Sequence, residues 1–245
     1  QGQALFGFAQ DVFLSGSPAW ALAAYEEIAG SYPAFPLMDR VLFGMAECFE
    51  AQDRHADAAA CYRRVFEEHP GSAVAAKALF REGEIRRDGL FDVPRAMDAF
   101  QALARRYPRS QEGGEGRLEL ARCEMMLGQL DRAESTFREA ADADPKKGRL
   151  WLKGTLGLAD CAYFTQRFDE ALAYLGGLRE KGLPEETVKD PAFNDGLSRS
   201  LFIAEHAATS REELGILSRA ELLAFQRNDE QAGRTLDSLT AVPDD

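Results

Sequence analysis

An all-α fold of repeated helical hairpins is predicted by three features of this 245-residue chain. A terminating proline recurs at Pro33, Pro70, Pro108 and Pro145, at intervals of 37, 38 and 37 residues. Twelve positions before each proline stands an alanine and eight before it an aromatic: Ala21 and Tyr25, Ala58 and Tyr62, Ala96 and Phe100, Ala133 and Phe137. Upstream of each such pair lies an apolar stripe spaced three and four apart, such as Leu42, Met45, Ala46 and Phe49, or Leu118, Ala121 and Met125, which is the periodicity of an amphipathic helix. A copied unit of that length that cannot bury its own apolar face has to stack on its neighbours.

Each unit therefore reads as two helices. The break between them carries stop and start signals: Ser15-Gly16-Ser17-Pro18, Gly89 to Pro94, and Gly128 to Asp131 with Glu134 placed to close a capping box. Small residues let the paired helices approach, so Ala46 is expected opposite Ala58 and Ala121 opposite Ala133. The aromatic one turn later is expected to fill the gap between hairpins, and the proline ends the second helix because it has no N–H to donate.

Residues 1–184 hold five such units, the fifth marked by Leu158, Ala159, Phe168 and Ala171 and closing late at Pro184. Residues 185–211 break the pattern and hold an inserted single helix near 193–208, started by Asp190-Pro191. Residues 212–245 hold a last hairpin, seen in Ile216, Ala220, Leu223, Ala232, Leu236 and Leu239, and a tail.

The pattern Leu118-x-Leu120-Ala121-x-x-Glu124, Gly128, Asp131-x-Ala133-x-x-x-Phe137 and Pro145 resembles the tetratricopeptide repeat family. That resemblance implies a right-handed superhelical solenoid of about six hairpins with one extra helix, and a non-catalytic scaffold that binds a peptide or protein segment in its concave groove. The 37–38-residue period and the endings Tyr107-Pro108-Arg109-Ser110 and His69-Pro70-Gly71-Ser72 are similar to the bacterial cell-envelope branch, which includes the Tol–Pal-associated periplasmic coordinator and outer-membrane assembly lipoproteins. The implied location is the periplasm or envelope, with the cytoplasm as the alternative, and the implied process envelope assembly or division. A self-assembling structural subunit of an envelope machine, or the regulatory repeats of a larger enzyme, are the competing readings. A chain opening on Gln1 instead of Met is expected to be a trimmed product.

Composition excludes other classes. A formal charge of −12 disfavours a phosphate backbone as partner, since nucleic acid is held by a surplus of Lys and Arg. No twenty-residue stretch lacks a charge, so no membrane insertion is expected. His55, His69 and His206 fit no zinc spacing, and Asp142-Ala143-Asp144-Pro145 lacks the glycine and glutamate of a calcium loop. Gly113, Gly114 and Gly116 precede no Gly-Lys-Ser/Thr and read as a flexible loop between repeats. Cys48, Cys61, Cys123 and Cys161 show no paired spacing and read as small core residues. No catalytic residue, metal or cofactor is assigned.

The partner-binding candidates lie on the first helices. An apolar ladder of Phe6, Phe43, Phe80, Leu118 and Leu156 is expected to face the groove, or alternatively to fill the inner curve. Arg40, Lys77 and Lys153 flank it, with Glu47, Glu84 and Asp160 further along. Arg122, Met125, Met126, Tyr163 and Phe164 add a softer patch suited to an apolar peptide. The expected partner is a protein or peptide, and the chain itself a monomer or weak homo-oligomer.

Overall fold

The structure, a computed structural model, describes residues 1–240; residues 241–245, the end of the predicted tail, lie outside the described residues. Among the described residues fourteen α-helices occur and no strand. They form α1 (Gly2–Leu14) with α2 (Pro18–Ser31), α3 (Met38–Glu50) with α4 (His55–Glu68), and α5 (Ala75–Glu84) with α6 (Val93–Arg106). Then follow α7 (Gln111–Met126) with α8 (Leu130–Asp142), and α9 (Arg149–Phe164) with α10 (Phe168–Gly176). The short α11 (Glu185–Lys189) and the long α12 (Pro191–Thr209) precede a last pair, α13 (Arg211–Phe225) and α14 (Asp229–Thr240). The predicted inserted helix is thus α12, extended by Pro191 at its first position and capped by Asp190, whose carboxylate accepts from the Ala192 N–H at 3.0 Å. The chain is an all-α helical-repeat fold of six hairpins, with α11 and α12 inserted before the last.

Two compact units divide the chain, Gln1–Gly116 and Arg117–Asp245. In the first, the alanines at the repeat position, Ala46 and Ala58, are fully buried on the paired helices α3 and α4. The repeat aromatic of α2 finds its seat on the next hairpin, whereas Phe100 of α6 lies over Gly83 of its own hairpin, 2.5 Å from a built Cβ. A Cβ added at Gly44 of α3 would lie 2.6 Å from the Tyr25 ring of α2, so that ring occupies the space a side chain would need. In the second unit the contact recurs, with the Phe137 ring of α8 2.4 Å from a Cβ built on Gly157 of α9.

The Tyr-Pro-x-Ser endings also acquire a physical role. The Tyr107 hydroxyl donates to the Pro70 carbonyl of the preceding repeat end at 2.6 Å, and its ring packs edge-on against Phe66. Ser110 accepts from the Gly113 N–H at 2.9 Å, opening α7, while Ser72 accepts from the Val74 N–H and donates to Asp39. The same segment corrects one expectation: Gly113, Gly114 and Gly116 are helical, within the first two turns of α7. Gly116 is small because Leu103 of α6 presses there, 2.6 Å from where a Cβ would sit, and Gly113 lies against the Tyr107 carbonyl.

Every hairpin turns by one backbone device. Gly16, Asp53, Phe91, Gly128, Gln166 and Arg227 all hold positive φ, and the residue after each donates back into the last turn of the first helix, as Arg54 N–H does to the Phe49 carbonyl at 2.9 Å and Arg167 N–H to Ala162 at 2.8 Å. This is the left-handed helix stop that glycine favours, adopted four times by other residues. The third hairpin widens it: a π-turn over Ile85–Gly89 places one more residue between Gly83 and Ala96 than lies between Ala46 and Ala58, and the closing bond runs from Asp92 N–H to the Arg86 carbonyl. The predicted capping box on α8 does not form; the side chain of its Gln129 N-cap accepts from Arg132 at 3.0 Å instead of from the backbone, and Glu134 receives Arg138 at 2.8 Å and Arg167 at 2.5 Å. Two arginines offer a carboxylate more than one backbone N–H does.

Ion pairs also enter the core. Glu82 of α5 is fully buried, and its carboxylate receives Arg63 of α4 at 2.9 Å and Arg86 at 2.7 Å. Burial raises its pKa and the two guanidinium groups oppose that rise. Glu82→Ala leaves those guanidinium groups without their anion and is expected to destabilise the protein by about 3–5 kcal/mol in urea unfolding. Gly44→Ala, which forces a methyl against Tyr25, is expected to cost about 1–3 kcal/mol. Gly233→Ala in α14, where the added Cβ meets nothing, is expected instead to gain about 0.5–1 kcal/mol in the same measurement.

Candidate functional site

A candidate site lies in the second unit, over α9. A groove of about 710 Å³ has Leu156, Asp160 and Phe164 of α9 as its floor. One wall is Asp195, Gly196, Ser198, Arg199 and Phe202 of α12, and the other is Glu221 and Phe225 of α13. A recess of about 190 Å³ adjoins it, sharing Leu156, Asp160 and Phe225 and adding Leu118, Arg122, Met125, Lys153 and Ala192. The volume lies in the range of sites that take a few side chains of a ligand.

The helices approach closely for a reason visible in the sequence. Gly196 of α12 has no side chain where Leu156 and Leu178 press, both 2.6 Å from a built Cβ. Gln166, at the α9 turn, donates to the Gly215 carbonyl of α13 at 3.2 Å, and Gln226 donates to the Met125 carbonyl at 3.2 Å. These two amides tie α13 to the α7–α9 region without any repeat contact.

Charge in the groove is arranged around α9. Arg199 pairs with Glu221 at 2.8 Å, and its guanidinium lies 4.2 Å from the centroid of the buried Tyr163 ring. Burial and the Glu221 carboxylate push the Tyr163 phenol upward, so it stays neutral. Asp160 is different. It makes no ion pair among the described residues, and desolvation between the helices pushes its pKa from 3.8 up to about 6, against the pull of Arg199 and Arg122 and with the push of Glu221. Phe164, 5.7 Å from Tyr163 and 6.5 Å from Phe225, continues the apolar surface beside it.

Of the residues singled out from sequence, Leu118, Arg122, Lys153, Leu156 and Phe164 line these two recesses, and Tyr163 lies buried behind them. Met126 is half-buried and lies outside both. In the first unit the ladder is largely inside: Phe6 and Phe43 are buried against Tyr25 and Tyr62, and Phe80 is half-buried on Phe100. Its flanking charges engage one another, with Arg81 bridging Glu50 and Glu84 and Lys77 5.0 Å from the Phe43 ring. Burial raises the Glu47 carboxyl, Lys77 opposes it, and Arg40 is exposed. Sequence reasoning missed Asp195, Arg199, Phe202, Glu221 and Phe225 because they stand outside the repeat period, where no register says which face they occupy.

Sequence models of the tetratricopeptide repeat match residues 40–72 and 90–147. No curated protein matches the sequence. Solved structures of similar fold include a tetratricopeptide repeat protein from Parabacteroides merdae, 16% identical with a TM-score of 0.60 over 100% of this chain and 94% of its own. YrrB, described as a TPR protein with an unusual peptide-binding site, is 15% identical with a TM-score of 0.56 over 83% and 90%. PilW, a type IV pilus biogenesis factor, is 15% identical with a TM-score of 0.52 over 98% and 98%. At these identities the likeness is one of fold alone. Among the described residues no group of His, Cys, Asp and Glu is placed to hold a metal ion, and no helix is long and apolar enough to cross a membrane. All four cysteines are buried and in no disulfide, and burial pushes the thiols of Cys48 and Cys161 up to about 12.

Asp160 gives the second unit a pH dependence of definite sign. Its folded pKa exceeds its unfolded one, so between about pH 4 and 6 the folded chain keeps a proton that the unfolded chain has lost, and stability falls as pH rises through that window. Asp160→Asn removes this term and is expected to raise stability at pH 7 by on the order of 1–2 kcal/mol while narrowing to no difference near pH 4. Urea unfolding of both proteins at pH 4 and 7 reads the difference directly.

Proposed function

We propose that the chain is a protein-binding module whose α9–α12–α13 groove holds an apolar segment of another protein carrying one basic side chain. The observation that carries this reading is Asp160: a carboxylate placed without an ion pair on the floor of a groove that offers Leu156, Phe164, Phe202 and Phe225 as apolar anchors and whose one lining arginine, Arg199, is already paired with Glu221. Leaving a charge so poorly solvated costs the free protein, and a Lys or Arg delivered between apolar contacts recovers that cost on binding. Apolar anchors supply affinity and the single charge sets register.

Three further facts support it. Tetratricopeptide repeats generally serve as protein interaction scaffolds, which places the reading within the usual work of the fold. YrrB, similar in fold, is described by its peptide-binding site. The net charge of −12 favours cationic ligands over anionic ones at long range.

A labelled twelve-residue peptide with Leu and Phe anchors and a central Lys is the direct probe, against the same peptide with norleucine in place of Lys. The Lys peptide is expected to bind at least tenfold more tightly by fluorescence anisotropy at pH 7, and Asp160→Asn to abolish that preference. Phe225→Asp is expected to weaken both peptides while leaving the helical circular dichroism intact. Equal binding of the two peptides, or a preference that survives Asp160→Asn, rejects the groove as the site.

A further inference from the structure

Three helices meet around Asp160, and each brings the same two kinds of side chain to the groove. On α9 Asp160 is followed one turn later by Phe164, on α12 Arg199 by Phe202, and on α13 Glu221 by Phe225. Residues three or four apart share a helix face, so every helix offers an ionisable group and a ring together.

The rings stand on the floor and on both walls. Phe164 and Phe225 lie 6.5 Å apart with their planes tilted by 34°. Phe202, on the other wall, is backed by the His206 ring at 4.3 Å, and His206 Nδ1 lies 2.9 Å from the Phe202 carbonyl. Negative charge prevails among them. Of the four ionisable residues that line the groove three are acids, and the one arginine is taken up by Glu221, which leaves Asp160 and Asp195. Arg122 and Lys153 belong to the adjoining recess.

Aromatic faces next to a carboxylate attract cations, and the chain already uses that attraction here, with the Arg199 guanidinium 4.2 Å from the Tyr163 ring centroid. The kind of cation follows from the acceptors available. A lysine ammonium carries three N–H donors, each of which has to be met once water is removed. Asp160 is one free carboxylate, Glu221 already receives Arg199, and Asp195 and Ser198 are exposed to water. A quaternary ammonium has no N–H to satisfy and spreads its charge over methyl groups, which suit aromatic walls. The poor hydration that pushes the Asp160 carboxyl up to about 6 points the same way, since such an acid pairs best with a cation that gives up its own water readily.

We infer that the basic side chain received by this groove is a trimethylated lysine, held against Phe164, Phe202 and Phe225 with Asp160 as its counter-ion. The inference rests on the groove being the site for a protein segment and adds the chemical identity of the cation. Its source is a side chain and not a free small molecule, because Leu156 and the recess beside it extend the apolar surface beyond what a lone ammonium head covers.

Four versions of the Leu- and Phe-anchored twelve-residue peptide test this by fluorescence anisotropy at pH 7, with Lys, trimethyl-lysine, its neutral tert-butyl carbon isostere or norleucine at the central position. The trimethyl-lysine peptide is expected to bind about fivefold more tightly than the Lys peptide, and the isostere to lose that gain. Phe202→Leu and Phe225→Leu, which keep apolar bulk and remove a ring, are expected to erase the difference between the two cationic peptides, while Phe202→Tyr preserves it. Circular dichroism checks that each variant keeps its helices. A Lys peptide that binds as tightly as the trimethylated one overturns the inference and leaves the peptide site standing. An isostere that matches trimethyl-lysine overturns it too, by reducing the preference to apolar bulk. Cationic peptides no tighter than the norleucine peptide remove both the inference and the reading beneath it. Choline alone binding as tightly as the trimethyl-lysine peptide assigns the site to a free cation and overturns the side-chain source.

Discussion

The contact on which the rest of the structure depends is an aromatic ring laid on a residue without a side chain. Tyr25 covers Gly44 and Phe137 covers Gly157, each ring occupying the volume a Cβ would claim. Such a contact fixes two things together. It brings the two helices to a distance that no larger residue would allow, and it fixes their register along one another, because the ring fits one turn and not the next. At these two joints stacking is therefore specified by the seat itself, and a change there is felt first by the two hairpins that share it.

Much of this was legible in the sequence, and the reasons are physical. The prolines, the alanines twelve before them and the aromatics eight before them recur because each does one job that few other residues can do: ending a helix, permitting approach, filling a gap. Positions of that kind betray themselves by repetition. The turn between paired helices does not, since its requirement falls on the backbone. Six turns place a residue at positive φ, and glycine supplies only Gly16 and Gly128, while Asp53, Phe91, Gln166 and Arg227 accept a conformation that costs an L-residue roughly 1–2 kcal/mol. The bond from the next N–H back into the helix offsets the strain, and a bond between backbone atoms leaves no trace in residue type. Gly113, Gly114 and Gly116 misled in the opposite direction, because three glycines resemble a loop whether they serve flexibility or, as Gly116 does, close approach to Leu103.

The candidate site was half legible for a related reason. Its floor belongs to α9, a helix in register, and Leu156 and Asp160 could be placed by counting from their equivalents in earlier repeats. Its walls belong to α12 and α13, where the period has lapsed. Arg199, Phe202, Glu221 and Phe225 follow no earlier copy, so only coordinates could bring them to Asp160. The ladder had the reverse fate: Phe6 and Phe43 were easy to find and turned out to be packed against tyrosines, which leaves little of either ring for a partner.

The lapse of the period is what makes the groove. A regular sixth hairpin would lay a first helix on α10 and follow it at once with a second. Here α12 lies on α10 without a partner helix of its own, and the next hairpin is held to α9 by Gln166 and to α7 by Gln226 rather than by an aromatic on a glycine. Amides reaching carbonyls hold helices apart at a side chain's length, where a ring on glycine would draw them together. The space left between α9, α12 and α13 is the difference between those two ways of joining helices, and it is there that a carboxylate, an arginine stacked on tyrosine and three phenylalanines meet. In the packed repeats a charge such as Glu82 is surrounded by its own arginines. In the groove, where the stacking rule is suspended, the chain leaves the half-buried Asp160 without an ion pair for something else to satisfy.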